Sequence, residues 1–111
     1  MKMTTIDRRT GGERRTAPRY SVNINVEWEA GTGRQKGTVN DISPEGCFVL
    51  SSGEVEDNET VLLFFPLSDG MKVQFNCEVV NHTYEIGFAV RFTDLSAAQK
   101  GFLTKLMDSL K

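Results

Sequence analysis

The sequence predicts an all-β domain with one C-terminal helix: a six-stranded antiparallel β-barrel. Short segments alternate apolar and polar residues at period two, and clusters of turn-forming residues separate them. No helical crossover lies between strands, which argues against a parallel sheet. Only the residues after Ser96 take a helical period. With 111 residues the chain is one domain that can bury a real core.

Residues 1–12 (MKMTTIDRRTGG) have no period and end on Gly-Gly, so they read as a flexible basic arm before a domain spanning 13–111. The first strand follows Arg19. Val22, Ile24, Val26 and Trp28 point inward, and Ser21, Asn23, Asn25, Glu27 and Glu29 point out, which makes Trp28 a core residue. Ala30-Gly31-Thr32-Gly33 turns the chain, and Gln35 to Asp41 returns as the second strand. A turn centred on Thr32 sets Ser43 opposite Ser21 and Glu45 near Arg19, at the roughly 5 Å of cross-strand neighbours. Ser43-Pro44-Glu45-Gly46 is the next turn, with proline presetting φ and glycine closing it. Cys47 to Leu50 is the third strand, Ser52 to Asn58 an acidic loop, and Thr60 to Phe65 a fourth strand stopped by Pro66. Beyond Ser68-Asp69-Gly70, the fifth strand alternates through Val73, Phe75, Cys77 and Val79. Asn81-His82 reads as a turn into a sixth strand with Ile86, Phe88, Val90 and Phe92 inward and Gly87 at a close approach. Ser96 and Gln99 form a capping box for a helix whose apolar face is Phe102, Leu103, Leu106, Met107 and Leu110. That face is expected to close the open end of the sheet, because Gly101 makes the helix depend on docking.

The net charge of −2 hides an asymmetry. Residues 1–20 carry six basic side chains against two acidic, net +4, and the remainder carries seven against thirteen, net −6. A basic arm on an acidic body suits a compact anionic ligand better than a long phosphate backbone, which the body would repel. Within Glu13-Arg14-Arg15-Thr16-Ala17-Pro18-Arg19, three guanidinium groups fall just before the first strand. Each is a rigid fork of donors suited to phosphate oxygens and to the O6/N7 edge of guanine. The hairpin brings this stretch to the same end as Asp41-Ile42-Ser43-Pro44-Glu45-Gly46, which offers a carboxylate, a hydroxyl and a glycine at fixed offsets. The plainer reading of Asp41 and Ser43 is that they cap their own turn. Arg8 and Arg9 read as solvated charge, and their part in any site stays open.

Catalytic chemistry has little support. His82 is the sole histidine, Ser43 lacks a nucleophile elbow or a base, and no P-loop is present. Cys47 and Cys77 lie in apolar strands without paired-Cys spacing or zinc-ligand company, so they read as reduced core thiols. No run approaches the roughly 18 apolar residues of a membrane span, and no apolar stretch near the start reads as a signal peptide. The expectation is a cytoplasmic protein that is not an enzyme and holds neither metal nor resident cofactor.

Two motifs in this order, Arg15-x-x-x-Arg19 preceded by Arg14, then Asp41-x-Ser43-x-x-Gly46, resemble those of the PilZ domain family. The segment Ile86-Gly87-Phe88-Ala89-Val90-Arg91-Phe92 leading into the helix is similar to the end of that fold. The resemblance covers about residues 13–110 and implies a barrel that binds cyclic di-GMP, a bacterial second messenger. It assigns Arg14, Arg15, Arg19, Asp41, Ser43 and Gly46 to the ligand, with Arg14 placed to grip a second stacked copy. The expected output is an arginine arm that changes conformation on binding and signals to a protein partner. Two alternatives stand beside it: a PilZ-like interaction module that binds no nucleotide, and a small barrel that binds single-stranded nucleic acid. The intact arginines weigh against the first, and the acidic body against the second.

Overall fold

The computed structural model describes residues 19–31 and 33–110. Six strands, β1 (Tyr20–Ala30), β2 (Gly33–Ser43), β3 (Gly46–Leu50), β4 (Thr60–Pro66), β5 (Lys72–Thr83) and β6 (Gly87–Thr93), precede helix α1 (Ala97–Leu110). All pairings are antiparallel, and the ring closes in the order β1-β2-β3-β6-β5-β4. This is the predicted barrel. The division at residue 12 and the last residue, Lys111, lie outside the described residues.

Alternation builds the core. Val26 and Trp28 of β1, Val39 and Ile42 of β2, Leu63 and Phe65 of β4, and Phe75, Cys77 and Val79 of β5 are all buried. Trp28 is fully enclosed, with its ring 4.9 Å from that of Phe88 and its indole N–H donating to Ser51 Oγ at 3.1 Å. Both cysteines are buried and unpaired. Burial pushes the Cys77 thiol up to about 12 and raises Cys47 well above its ordinary value, so both stay neutral. Phe64 points outward between two core residues and is covered instead by Arg34, whose guanidinium lies 4.0 Å over the ring. Arg34 also reaches Glu27 and Glu29, and Lys72 reaches Glu27 at 2.9 Å. The Lys72 hydrogen bond holds the Glu27 carboxyl below its usual range.

Helix α1 starts on the predicted box: Ser96 N–H donates to Gln99 Oε1 at 2.7 Å, and Gln99 N–H to Ser96 Oγ at 3.1 Å. Its apolar face docks as expected. Leu103 and Met107 are buried, Phe102 packs against Phe65 and Phe75, and Leu106 and Leu110 are half-buried on the core. The helix, the 43–46 turn and the start of β1 share one end of the barrel. The loop after β3 and the β5–β6 turn share the other.

Three sequence expectations need correction. Ala30 faces Gly33, so the first hairpin is shifted by one residue; Thr32 itself lies outside the described residues. A bulge between Ser21 and Ile24 adds a further residue, so Ser21 faces Asp41 rather than Ser43. The displacement is one residue from Ile24 to Ala30 and two at Ser21, and β1 keeps its expected alternation, with Val26 and Trp28 buried and Val22 and Ile24 packed against the core. Asn81 and His82 are not a turn: β5 continues through them, paired with Ala89 and Phe88, past a bulge at Val80. Ile86 therefore sits in the actual turn and is 56% exposed instead of inward. Gly87, in contrast, is at the expected close approach, where a Cβ would stand 2.2 Å from the Val49 carbonyl oxygen.

Candidate functional site

The two-residue displacement decides which motif residues meet. With Asp41 opposite Ser21, its carboxylate lies beside the last residue of the arginine stretch, and Arg19 Nη2 donates to Asp41 Oδ1. Both side chains remain about one-third exposed. A surface pair of this kind contributes little to folding, ~0–1 kcal/mol, so both groups remain free to exchange partners. Arg14 and Arg15, like Arg8 and Arg9, lie outside the described residues.

Ser43 and Gly46 stand differently. Ser43 is 1% exposed, and its hydroxyl is engaged in the turn, donating to the Gly46 carbonyl at 3.4 Å and accepting from Glu45 N–H at 3.2 Å. This is the local capping expected of such a residue. Gly46 is pressed against β6, and a Cβ there would lie 2.1 Å from the Val90 carbonyl oxygen. Its close backbone approach is to its own barrel. Together they fix the turn that presents Asp41.

A shallow cavity of about 380 Å³ continues from Arg19 across the outer wall of β3, β6 and β5. The register aligns Asp41, Phe48, Ala89 and Asn81 in one row across four strands. Phe48, Val80 and Ala89 give the cavity an apolar floor, with Arg19, Glu45 and Arg91 around it. Arg91 is held by Glu78 and is exposed. Two guanidinium groups and a carboxylate lining an apolar floor suit a planar aromatic group bearing phosphate. Phe48, Val80 and Arg91 were not singled out in the sequence as site residues. Alternation carried the signal, since Phe48 lies between inward Cys47 and Val49 and must face out.

Among the described residues no group of three His, Cys, Asp or Glu side chains could hold a metal ion. No helix among them is long and apolar enough to cross a membrane. His82, exposed on β5, bonds Asp57 at 2.9 Å, at the barrel end away from Arg19.

Comparison with solved structures gives the same barrel. The PilZ domain of E. coli YcgR with c-di-GMP superposes with a TM-score of 0.73 at 14% identity, covering 88% of this chain and 92% of that one. The PilZ domain of CeSA from a cellulose-synthesizing bacterium gives 0.67 at 21% identity, covering 84% and 97%. The K. pneumonia MrkH–c-di-GMP complex gives 0.71 at 15% identity, covering 89% of this chain and 53% of that longer one. No curated protein sequence matches significantly. The sequence pattern of the PilZ domain matches residues 13–109, which spans both motifs, the whole barrel and nearly all of the helix. This chain belongs to the PilZ domain family.

Proposed function

We propose that this protein is a cyclic di-GMP-binding effector whose arginine segment, residues 14–19, closes over the ligand and creates a surface for a protein partner. The observation that carries the reading is the Arg19–Asp41 ion pair, which joins two motifs 22 residues apart at the rim of the Phe48 cavity. Two relatives of the same fold, YcgR and MrkH, are described in complex with this nucleotide.

Each role follows from donor and acceptor chemistry. Arg15 and Arg19 bind phosphate oxygens or take a bidentate grip on guanine O6/N7. Arg14, next to Arg15 in the sequence, is available to grip a second, stacked copy where one binds. Asp41 accepts from guanine N1–H and N2–H, a donor pair adenine lacks. Ser43 and Gly46 hold the turn that aims Asp41, and Phe48 offers a base a face to stack on. The ordering cost of the arm is offset by charge-assisted bonds to the two phosphates.

Calorimetric titration with cyclic di-GMP, cyclic di-AMP and a short oligonucleotide tests this. Cyclic di-GMP is expected to bind, with Arg15→Ala or Arg19→Ala each weakening it by about 2–4 kcal/mol. Cyclic di-AMP is expected to bind ten- to hundredfold more weakly, about 1–3 kcal/mol, and Asp41→Ala to erode that preference. Full affinity in the Arg15→Ala, Arg19→Ala double variant, or equal affinity for the two dinucleotides, rejects the assignment. No heat with the intact protein leaves a nucleotide-free interaction module.

A further inference from the structure

The barrel end away from Arg19 carries a second surface that the dinucleotide reading does not use. Residues 51–59 and the β5–β6 turn meet there, tied by Ser51 N–H to the Ile86 carbonyl at 3.1 Å, Asn58 N–H to the Val79 carbonyl at 2.8 Å, and the His82–Asp57 contact. At the tip, Tyr84 is 69% and Ile86 56% exposed. They flank Glu85, held in the left-handed region at φ 61°, and Ile86 N–H closes the turn on Thr83. Glu54 lines the notch beside them, and Glu56, Asp57 and Glu59 follow in the same loop, with Asp57 bonded to His82 and Glu59 accepting from Glu56 N–H; neither 51–59 nor 82–87 contains a lysine or arginine. Between loop and tip lies a notch of about 200 Å³, walled by Gly53, Glu54, Val55, His82, Tyr84 and Glu85. Small-molecule pockets run to roughly 300–1,000 Å³, so this one takes a single side chain rather than a nucleotide.

We infer that this end is a docking surface for a basic protein segment: an arginine of the partner enters the notch between Glu54 and Glu85, beside the Tyr84 ring, while an apolar neighbour covers Ile86. Charge complementarity selects that occupant. Glu54 and Glu85 at the notch, in two segments that carry five carboxylates and no lysine or arginine, repel phosphate backbones and anionic lipid surfaces and attract a cationic chain. Guanidinium meets all three walls of the notch, because it bonds carboxylates in pairs and stacks on an aromatic face. Tyrosine at an exposed tip is a typical anchor of protein interfaces.

Titration of the isotope-labelled full chain by NMR, with a short peptide alternating arginine and leucine, tests this. A glutamate–leucine peptide of equal length and a short oligonucleotide serve as controls. The arginine peptide is expected to shift amides of 53–59 and 82–87, more weakly as salt rises. Tyr84→Ala, and separately Glu54→Gln with Glu85→Gln, are expected to lower its affinity about tenfold. Unfolding midpoints and the cyclic di-GMP titration should match wild type, since these residues lie away from both the core and Arg19. Shifts spread over the rest of the acidic body, affinity unchanged in the variants, or equal binding of the glutamate peptide overturns the inference. Failure of the dinucleotide titration leaves it standing.

Discussion

A methyl group at position 46 has nowhere to go. The obstacle is backbone, the Val90 carbonyl oxygen and the Arg91 Cα, which cannot swing aside as a flexible side chain would. Gly46→Ala is therefore expected to destabilise the fold by about 2–3 kcal/mol, the usual cost of forcing atoms into a packed site. Arg19→Ala should lower the unfolding free energy by less than about 1 kcal/mol, since it removes a half-exposed ion pair. Parallel urea titrations of the two variants check this, and equal midpoints would refute it. The six-residue motif thus mixes two kinds of residue. Asp41 stands half-exposed beside Arg19, whereas Ser43 and Gly46 are packed into the wall that carries it. Offsets along the chain cannot distinguish them, because the difference lies in what packs behind the turn from β6. The same limit hid Arg91 and Val80, which reach the cavity only through pairings made far along the chain.

Helix α1 was legible in the sequence almost to the residue, because a capping box and a 3.6-residue stripe are local properties. It also supplies a prediction of two opposite signs. Ser96→Ala removes the side-chain acceptor for Gln99 N–H and should cost about 1 kcal/mol. Gly101→Ala should gain about 1 kcal/mol, since an added Cβ meets nothing within 4 Å and a helix interior favours alanine. Thermal unfolding of both variants reads the two signs, and a destabilised Gly101→Ala would mean that the glycine serves another purpose. The strand ends were less legible. Residues 80–83 of β5 are all exposed and mostly polar, so they pair through backbone alone and leave no alternation to detect. Bulges at Val80 and between Ser21 and Ile24 shift register without leaving a mark in composition.

For the whole molecule, charge and topology divide the labour. The net +4 of residues 1–20 belongs to the stretch of sequence that enters the barrel at Arg19, and the carboxylate-rich loops lie at the other end. Hydrogen exchange with saturating cyclic di-GMP should show residues 14–19 and 41–46 gaining protection while residues 73–79 of β5 and the 53–59 and 82–87 segments stay unchanged. Lower salt should strengthen the effect. A 14–19 segment already protected without ligand, or unprotected with it, would remove the arm-closing step. Ring closure then bears on how a message could leave. In a hoop of six ladders no strand can slip alone, and slippage comes in two-residue steps that would break every joint at once. A cylinder closed in this way is expected to behave as a rigid spacer, so the free energies of occupying its two ends should simply add. A dinucleotide at one end cannot tighten a partner at the other through the wall. It can do so only if the partner is long enough to span the cylinder and touch the closed arm as well, turning one weak contact into a two-point grip.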